Sequence, residues 1–281
     1  MEFWTRSATV QVGDKTYSMS DFDFDFDVQF EDSKEPTTAV VTIYNLAETT
    51  RNSMKKGDPV ILNAGYEGDI GVIFVGQIAG IKHSHSSTEW ATKITASEAL
   101  EEWLTAQVNK TYTQETTASA MVQDLLNIFG IEVGTFELVE DKTYTRGRVC
   151  KGKLKDVITE IVVSDCKSRF LIRDGRIIIN DPAAGVNSGY TLSAETGLLR
   201  ADDDEAKTEI ETDLTTQKTP SEKDEDAQNK TRQCLLNYHI GAADEITIQS
   251  KSLNGKYLVV RGNHKGSKSG DWITEIEVKP A

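Results

Sequence analysis

The sequence predicts a mainly β, α+β protein in which two similar antiparallel β-barrel (tube-like) domains flank a small α+β domain. Three observations predict it. Apolar and polar residues alternate in short runs at both ends of the chain. The middle carries two segments of helical spacing followed by an Asp-Gly turn. The two strand-rich ends repeat the same residue types in the same order. The expected boundaries are 1–104 for the first barrel, 105–198 for the α+β domain and 199–281 for the second barrel.

Taken in order, Phe22, Phe24, Phe26, Val28 and Phe30 alternate with Asp23, Asp25, Asp27 and Gln29. A period of two puts the aromatics on one strand face and the three aspartates on the other. Ala39 to Tyr44 reads as a second strand, and Ala47 to Lys56 as a short helix closed by Gly57. Val60-Ile61-Leu62, Gly71 to Gly80 and Trp90 to Ala96 supply further strands, separated by turn-forming Gly, Asp, Ser and Thr. In the middle, Thr116 or Thr117 caps a helix carrying Met121, Val122, Leu125, Leu126 and Phe129, ended by Gly130. Leu154, Val157, Ile158, Ile161 and Val162 mark a second helix. Arg169 to Arg173 and Arg176 to Asn180 flank Asp174-Gly175, a hairpin signal because both central turn residues need positive φ. From about 202 to 230 the chain is acidic and polar and reads as an exposed loop. Strands resume from Gln233 to Pro280.

The repeat is specific in its residues. Asp58-Pro59-Val60-Ile61-Leu62, Gly71 to Val75 and Glu89-Trp90-Ala91-Thr92-Lys93-Ile94 correspond to Asp244-Glu245-Ile246-Thr247-Ile248, Gly255 to Val259 and Asp271-Trp272-Ile273-Thr274-Glu275-Ile276. His83 and His264 fall at comparable places before the tryptophans. Trp90 and Trp272 are therefore expected to anchor equivalent barrel cores.

Several function classes lose support. A net charge of −14 disfavours sequence-specific nucleic-acid binding and acidic membranes. Apolar runs such as Val60–Leu62 and Ile177–Ile179 are too short to span a bilayer, so no membrane insertion is expected. The N-terminus lacks a secretory pattern, which fits folding in a cytoplasm. Cys150, Cys166 and Cys234 match no zinc or redox spacing and read as reduced thiols. His83 and His85 lack a completing ligand set, and Asp202-Asp203-Asp204-Glu205 lacks a calcium-loop glycine. No nucleophile elbow, Walker loop, zincin or dinucleotide fingerprint is present. No enzyme activity, catalytic residue, metal or cofactor is expected. The Asp23, Asp25, Asp27 row has two readings: an ordinary solvated strand face, or the acidic, channel-facing wall of a wet lumen.

Several segments resemble small phage baseplate hub proteins. They are Thr42 to Arg51 (Thr-Ile-Tyr-Asn-Leu-Ala-Glu-Thr-Thr-Arg), Lys56-Gly57-Asp58, Ala64-Gly65-Tyr66-Glu67-Gly68 and Ile73-Phe74-Val75-Gly76. Tyr190 to Leu199, Ser252 to Tyr257 and Asp271-Trp272-Ile273-Thr274 continue the likeness in the same order. The resemblance implies a homotrimer whose two barrels per subunit build a pseudo-hexameric ring. Such a ring adapts the six-fold tail tube to the three-fold spike and surrounds a channel for the tape-measure protein and DNA. It implies contacts with tube, spike, tape-measure and other baseplate proteins. It places the chain in a virion tail baseplate or a tail-like particle, such as a bacteriocin or contractile injection system, assembled in a host bacterial cytoplasm. The acidic stretch from Asp202 to Lys230 looks longer than the family pattern. The alternative is a peptidoglycan-binding or muralytic tail-tip protein, since Lys151 to Asn180 loosely resembles cell-wall-binding modules. That stretch offers only Phe170 as an aromatic surface.

Overall fold

A computed structural model describes residues 5–86, 88–98, 105–128, 132–187, 189–200, 230–250 and 253–281. The chain opens with β1 (Arg6–Val12), β2 (Lys15–Ser18), β3 (Phe24–Glu31) and β4 (Thr38–Tyr44). Helix α1 (Glu48–Ser53) leads to β5 (Pro59–Tyr66), the long β6 (Asp69–Ser86) and β7 (Glu89–Ser97). The middle region holds β8 (Gln107–Tyr112), β9 (Thr116–Thr117), α2 (Ala118–Leu126), β10 (Glu132–Phe136), β11 (Thr143–Tyr144) and β12 (Arg148–Lys153). It continues with α3 (Leu154–Thr159), which runs on as a π-helical turn over Glu160–Asp165, then β13 (Arg169–Arg173) and β14 (Arg176–Asn180). The last strands are β15 (Tyr190–Ser193), β16 (Leu198–Arg200), β17 (Lys230–Leu235), β18 (Glu245–Gln249), β19 (Asn254–Gly266) and β20 (Trp272–Pro280).

The protein is mainly β with an α+β middle, as the patterning predicts. Phe24, Phe26, Val28 and Phe30 all point into apolar cores, so the period-two reading of β3 matches its burial. Thr117 caps α2 by accepting the Ala120 N–H at 3.3 Å. Asp174 and Gly175 adopt φ of 55° and 72° in the β13–β14 hairpin. Helix α1 is shorter than expected because Met54 already takes extended backbone angles. Phe129, Gly130 and residues 201–229, which include most of the expected acidic loop, lie outside the described residues.

Separate closed barrels are not what the described residues form. One open sheet of 13 strands runs β16-β17-β20-β19-β3-β4-β7-β6-β5-β1-β2, with β18 against β19 and β15 against β18. The two strand regions merge because β3 pairs with β4 on one side and β19 on the other. At this seam Gly262 lies opposite Phe30 and Gly266 opposite Phe26. A Cβ on Gly262 would meet the Phe30 ring at 2.7 Å, and one on Gly266 the Phe26 ring at 2.2 Å. Bare backbone there is what lets the phenyl rings lie across β19.

The repeat extends to hydrogen-bond register, with one correction: Gly255 to Val259 take the places of Phe74 to Ile78, three residues on from the Gly71 to Val75 that the sequence pattern suggests. Val60 opposes Gly76 as Ile246 opposes Tyr257, and Leu62 opposes Phe74 as Ile248 opposes Gly255. His83 opposes Thr92 as His264 opposes Thr274. The β6–β7 ladder slips between Ile78 and Gly80, and the β19–β20 ladder slips at the matching place, between Val259 and Arg261. The likeness stops at the next strand: β1 joins β5 antiparallel, whereas β15 joins β18 parallel.

Three apolar cores follow. The first lies under β1 to β7 and takes in Leu236 and Trp272 from the end of the chain. The second joins α2 and α3 to β13 and β14. The third gathers β15 and β17 to β20, with Phe30 and Leu171 added. Two arginines of β13 hold the middle region to the sheet. Arg169 meets Asp32 at 2.9 Å and donates to the carbonyls of Pro182 and Ala184. Arg173 grips Asp244 with two bonds of 2.6 and 2.9 Å.

Arg169 is buried and Asp32 is largely, but not fully, so. Removing one partner strands the other charge, so Arg169→Ala is expected to cost about 3–5 kcal/mol in urea unfolding. A loss under about 1 kcal/mol would show that this pair does not fasten the middle region.

Candidate functional site

The sheet has one apolar and one polar side, and the seam makes the polar side continuous across both strand regions. Asp25 and Asp27 are partly buried on that side, and Asp23 is exposed just before β3. Asp25 accepts the Tyr44 hydroxyl at 2.9 Å. Asp27 stands opposite Lys265, and Lys265 approaches Glu275 at 3.7 Å. Burial raises the Asp27 carboxyl above its usual range, opposed by the Lys265 charge. Lys93 lies across Thr42 from Asp25. Tyr44, Lys93 and Lys265 thus interleave with the aspartates, and the face is polar and charge-mixed instead of uniformly acidic.

The two tryptophans sit in different surroundings. Trp272 is 2% exposed and packs in the first core, edge-on to Phe26 with centroids 5.5 Å apart. Trp90 is 38% exposed, outside the core, with the Arg51 guanidinium 3.9 Å above its ring and His85 at 4.8 Å. The physical reason is coverage: β3 brings Phe26 over Trp272, and no described strand covers Trp90. The histidines show the same contrast. His264 is buried, bonds Thr274 at 2.8 Å and lies under Phe30 at 4.9 Å. Burial, with the Arg173 charge adding, lowers its pKa to about 3. His83 makes the same bond to Thr92 at 3.2 Å but is exposed.

Among the described residues no group of three His, Cys, Asp or Glu side chains is placed to hold a metal. His83 and His85 turn to Thr92 and Trp90. Cys150, Cys166 and Cys234 are free and buried, and burial raises all three thiols, Cys234 to about 12. A cavity lined by Tyr66, Asp69, Tyr190, Asn237, Tyr238 and His239 measures about 10 Å³, room for one water.

Sequence reasoning missed Glu98, at the end of β7. Its Oε1 accepts the Asp174 N–H at 3.4 Å, and its Oε2 is buried without a hydrogen bond. Nothing local marks it, because its neighbours Arg173 and Asp174 come from the middle region. Burial, with the Asp174 charge adding, raises its pKa from 4.5 to about 8. The folded protein therefore holds a proton that the unfolded chain releases between those values. That contribution is complete below about pH 4.5 and is lost as pH rises through about 8. Glu98→Gln is expected to flatten this decline in Tm across that window, and an unchanged slope would contradict the assignment.

The tryptophan contrast sets a second expectation. Trp272→Ala is expected to cost about 3–5 kcal/mol, as for a filled core site. Trp90→Ala loses a surface cation–π contact and should cost about 1 kcal/mol or less. Equal denaturant midpoints for the two variants would contradict this.

The sequence matches no protein-family model, and no curated protein matches it. Solved structures do match. A 43 kDa tail protein of prophage MuSo2 from Shewanella oneidensis aligns with TM-score 0.68 and 10% identity, covering 99% of this chain and 98% of that one. A tail protein from Neisseria meningitidis MC58 aligns with TM-score 0.65 and 10% identity, over 98% and 97%. An E. coli type VI secretion component, described as structurally similar to the T4 tail proteins gp27 and gp5, aligns with TM-score 0.62 and 13% identity, over 97% and 76%. Across nearly its whole described length, this chain carries the fold of phage tail proteins.

Proposed function

We propose that the chain is a structural baseplate hub subunit of a phage or phage-like tail, and not an enzyme. The observation that carries the reading is the end-to-end fold likeness to prophage tail proteins, with 99% of this chain and 98% of the other aligned. The likeness to a type VI secretion component, itself described as similar in structure to the T4 tail proteins gp27 and gp5, supports the same reading. In this reading three copies form a ring around the central channel. The ring adapts the six-fold tube to the three-fold spike, with tape-measure and other baseplate proteins as partners. Its place is the virion tail baseplate or a tail-like particle.

The repeated unit supports the adaptor role. Two sheet units of matched register and matched bulge in one chain allow three subunits to present six similar positions. Each tube-like half is then one arc of a wall that closes only on assembly. A division into 1–104, 105–198 and 199–281 is the reading we keep, each range supplying most of one apolar core, although Leu192 of residues 190–193 packs and pairs with the last strands. Asp23, Asp25 and Asp27 line the channel in this reading, on the polar side of the sheet.

Light scattering on the purified chain, alone and mixed with its neighbouring tail proteins, tests the proposal. A trimer is expected. A strict monomer that degrades peptidoglycan would overturn it in favour of a muralytic tail-tip protein.

A further inference from the structure

Three carboxylates surround one guanidinium where the middle region meets β7. Arg173 of β13 holds Asp244 with bonds of 2.6 and 2.9 Å, and its Nε lies 3.7 Å from Asp174. The third carboxylate is Glu98, the residue after β7, whose Oε1 accepts the Asp174 N–H at 3.4 Å. One positive charge does not balance three negative ones. In such a cluster the least solvated and least bonded carboxyl keeps its proton.

The contacts show which carboxyl that is. Asp244 is buried but well supplied: beyond Arg173 it accepts the N–H groups of Asn187 at 3.1 Å and Gly241 at 2.8 Å. The Asp174 carboxylate is exposed and keeps its water. Glu98 has neither advantage, since its Oε2 is buried without a hydrogen bond. The Thr37 hydroxyl, from the segment before β4, bonds the Glu98 carboxyl and carries no charge. Arg173 is committed elsewhere. Its Nη1 also donates to the Ala242 carbonyl at 2.8 Å, and a Cβ on Gly241 would meet Nη2 at 2.6 Å, so the guanidinium lies against bare backbone. His264 of β19 also feels Arg173, but burial holds its pKa near 3 and it stays neutral.

We propose that Glu98 is a proton-operated latch between the end of β7 and the Asp174-Gly175 tip of the middle region. Protonated, the carboxyl stays in its pocket and holds the tip through the Asp174 N–H. Ionised, it is one charge too many beside Asp174 and Asp244, so it turns out to water and lets the tip go. Arg169 with Asp32 and Arg173 with Asp244 still fasten the region, so release is local and is not unfolding. Burial, with the Asp174 charge adding, raises the Glu98 pKa to about 8, so the latch is closed below that value and opens as pH rises through it. It works within one chain, whatever that chain assembles with.

Hydrogen exchange of the full chain from about pH 6 to about pH 10, corrected for the base-catalysed intrinsic rate, tests the latch at the Asp174 amide. Protection there should fall by about tenfold within one pH unit above the midpoint, as the ionised fraction of Glu98 grows. Glu98→Gln has the same shape and no proton to lose, so its protection should stay flat. Asp174→Asn removes one competing charge at an exposed position and should move the midpoint to lower pH. Flat protection in the wild type overturns the latch, and so does an unchanged fall in Glu98→Gln. An unmoved midpoint in Asp174→Asn overturns the crowding of charge on which the latch depends, and that variant serves even if Glu98→Gln fails to fold.

Discussion

The pairing of β3 with β19 is the constraint on which the rest depends. It joins strands more than two hundred residues apart, and without it the 13-stranded sheet would be two. It places Phe26 over Trp272 and Phe30 over His264, so each apolar core borrows side chains from the other half. It also aligns Asp27 with Lys265, which makes the polar side continuous. Long-range strand pairing of this kind has a high loop-closure cost, and dense packing across the seam offsets it.

Polar contacts fasten the middle region to the sheet, alongside the apolar surface that Leu171 adds to the third core. Arg169 reaches Asp32 near the end of β3, and Arg173 reaches Asp244 before β18. Arg173 makes its contact as a two-nitrogen fork, and Arg169 uses Nε for Asp32 and its other nitrogens for backbone carbonyls, so both fix orientation as well as distance. Glu98 lies beside Arg173 and Asp174 and couples the end of β7 to the same joint. A joint built from buried charges keeps one geometry, because any other arrangement leaves a charge without its partner.

Much of this was legible in the sequence. The alternation from Phe22 to Phe30, the Thr117 cap, the Asp174-Gly175 turn and the repeat around Val60 and Ile246 and around Trp90 and Trp272 are local patterns that the structure keeps, whereas the match of Gly71 with Gly255 is three residues out of register. The merger of the two halves was not legible, because strand alternation says which face is buried and not which strand lies alongside. Gly262 and Gly266, four apart in a strand, were its one trace, since such glycines mark close approach of another group. Trp90 misled for the same reason: its sequence context matches that of Trp272, but burial depends on a neighbour that only Trp272 has. Arg169 and Asp32 lie 137 residues apart, beyond any spacing rule.

The seam also has a mechanical side. Its six residue pairs, from Arg261 with Glu31 to Gly266 with Phe26, lie along one line. A pull parallel to the strands loads all of them together, as in a lap joint. A pull across the strands opens them one after another, as in a zip. The joint is therefore anisotropic: stiff along the strand axis and weak across it. Load reaching the molecule along β3 and β19 would pass from one half to the other without concentrating on any single hydrogen bond.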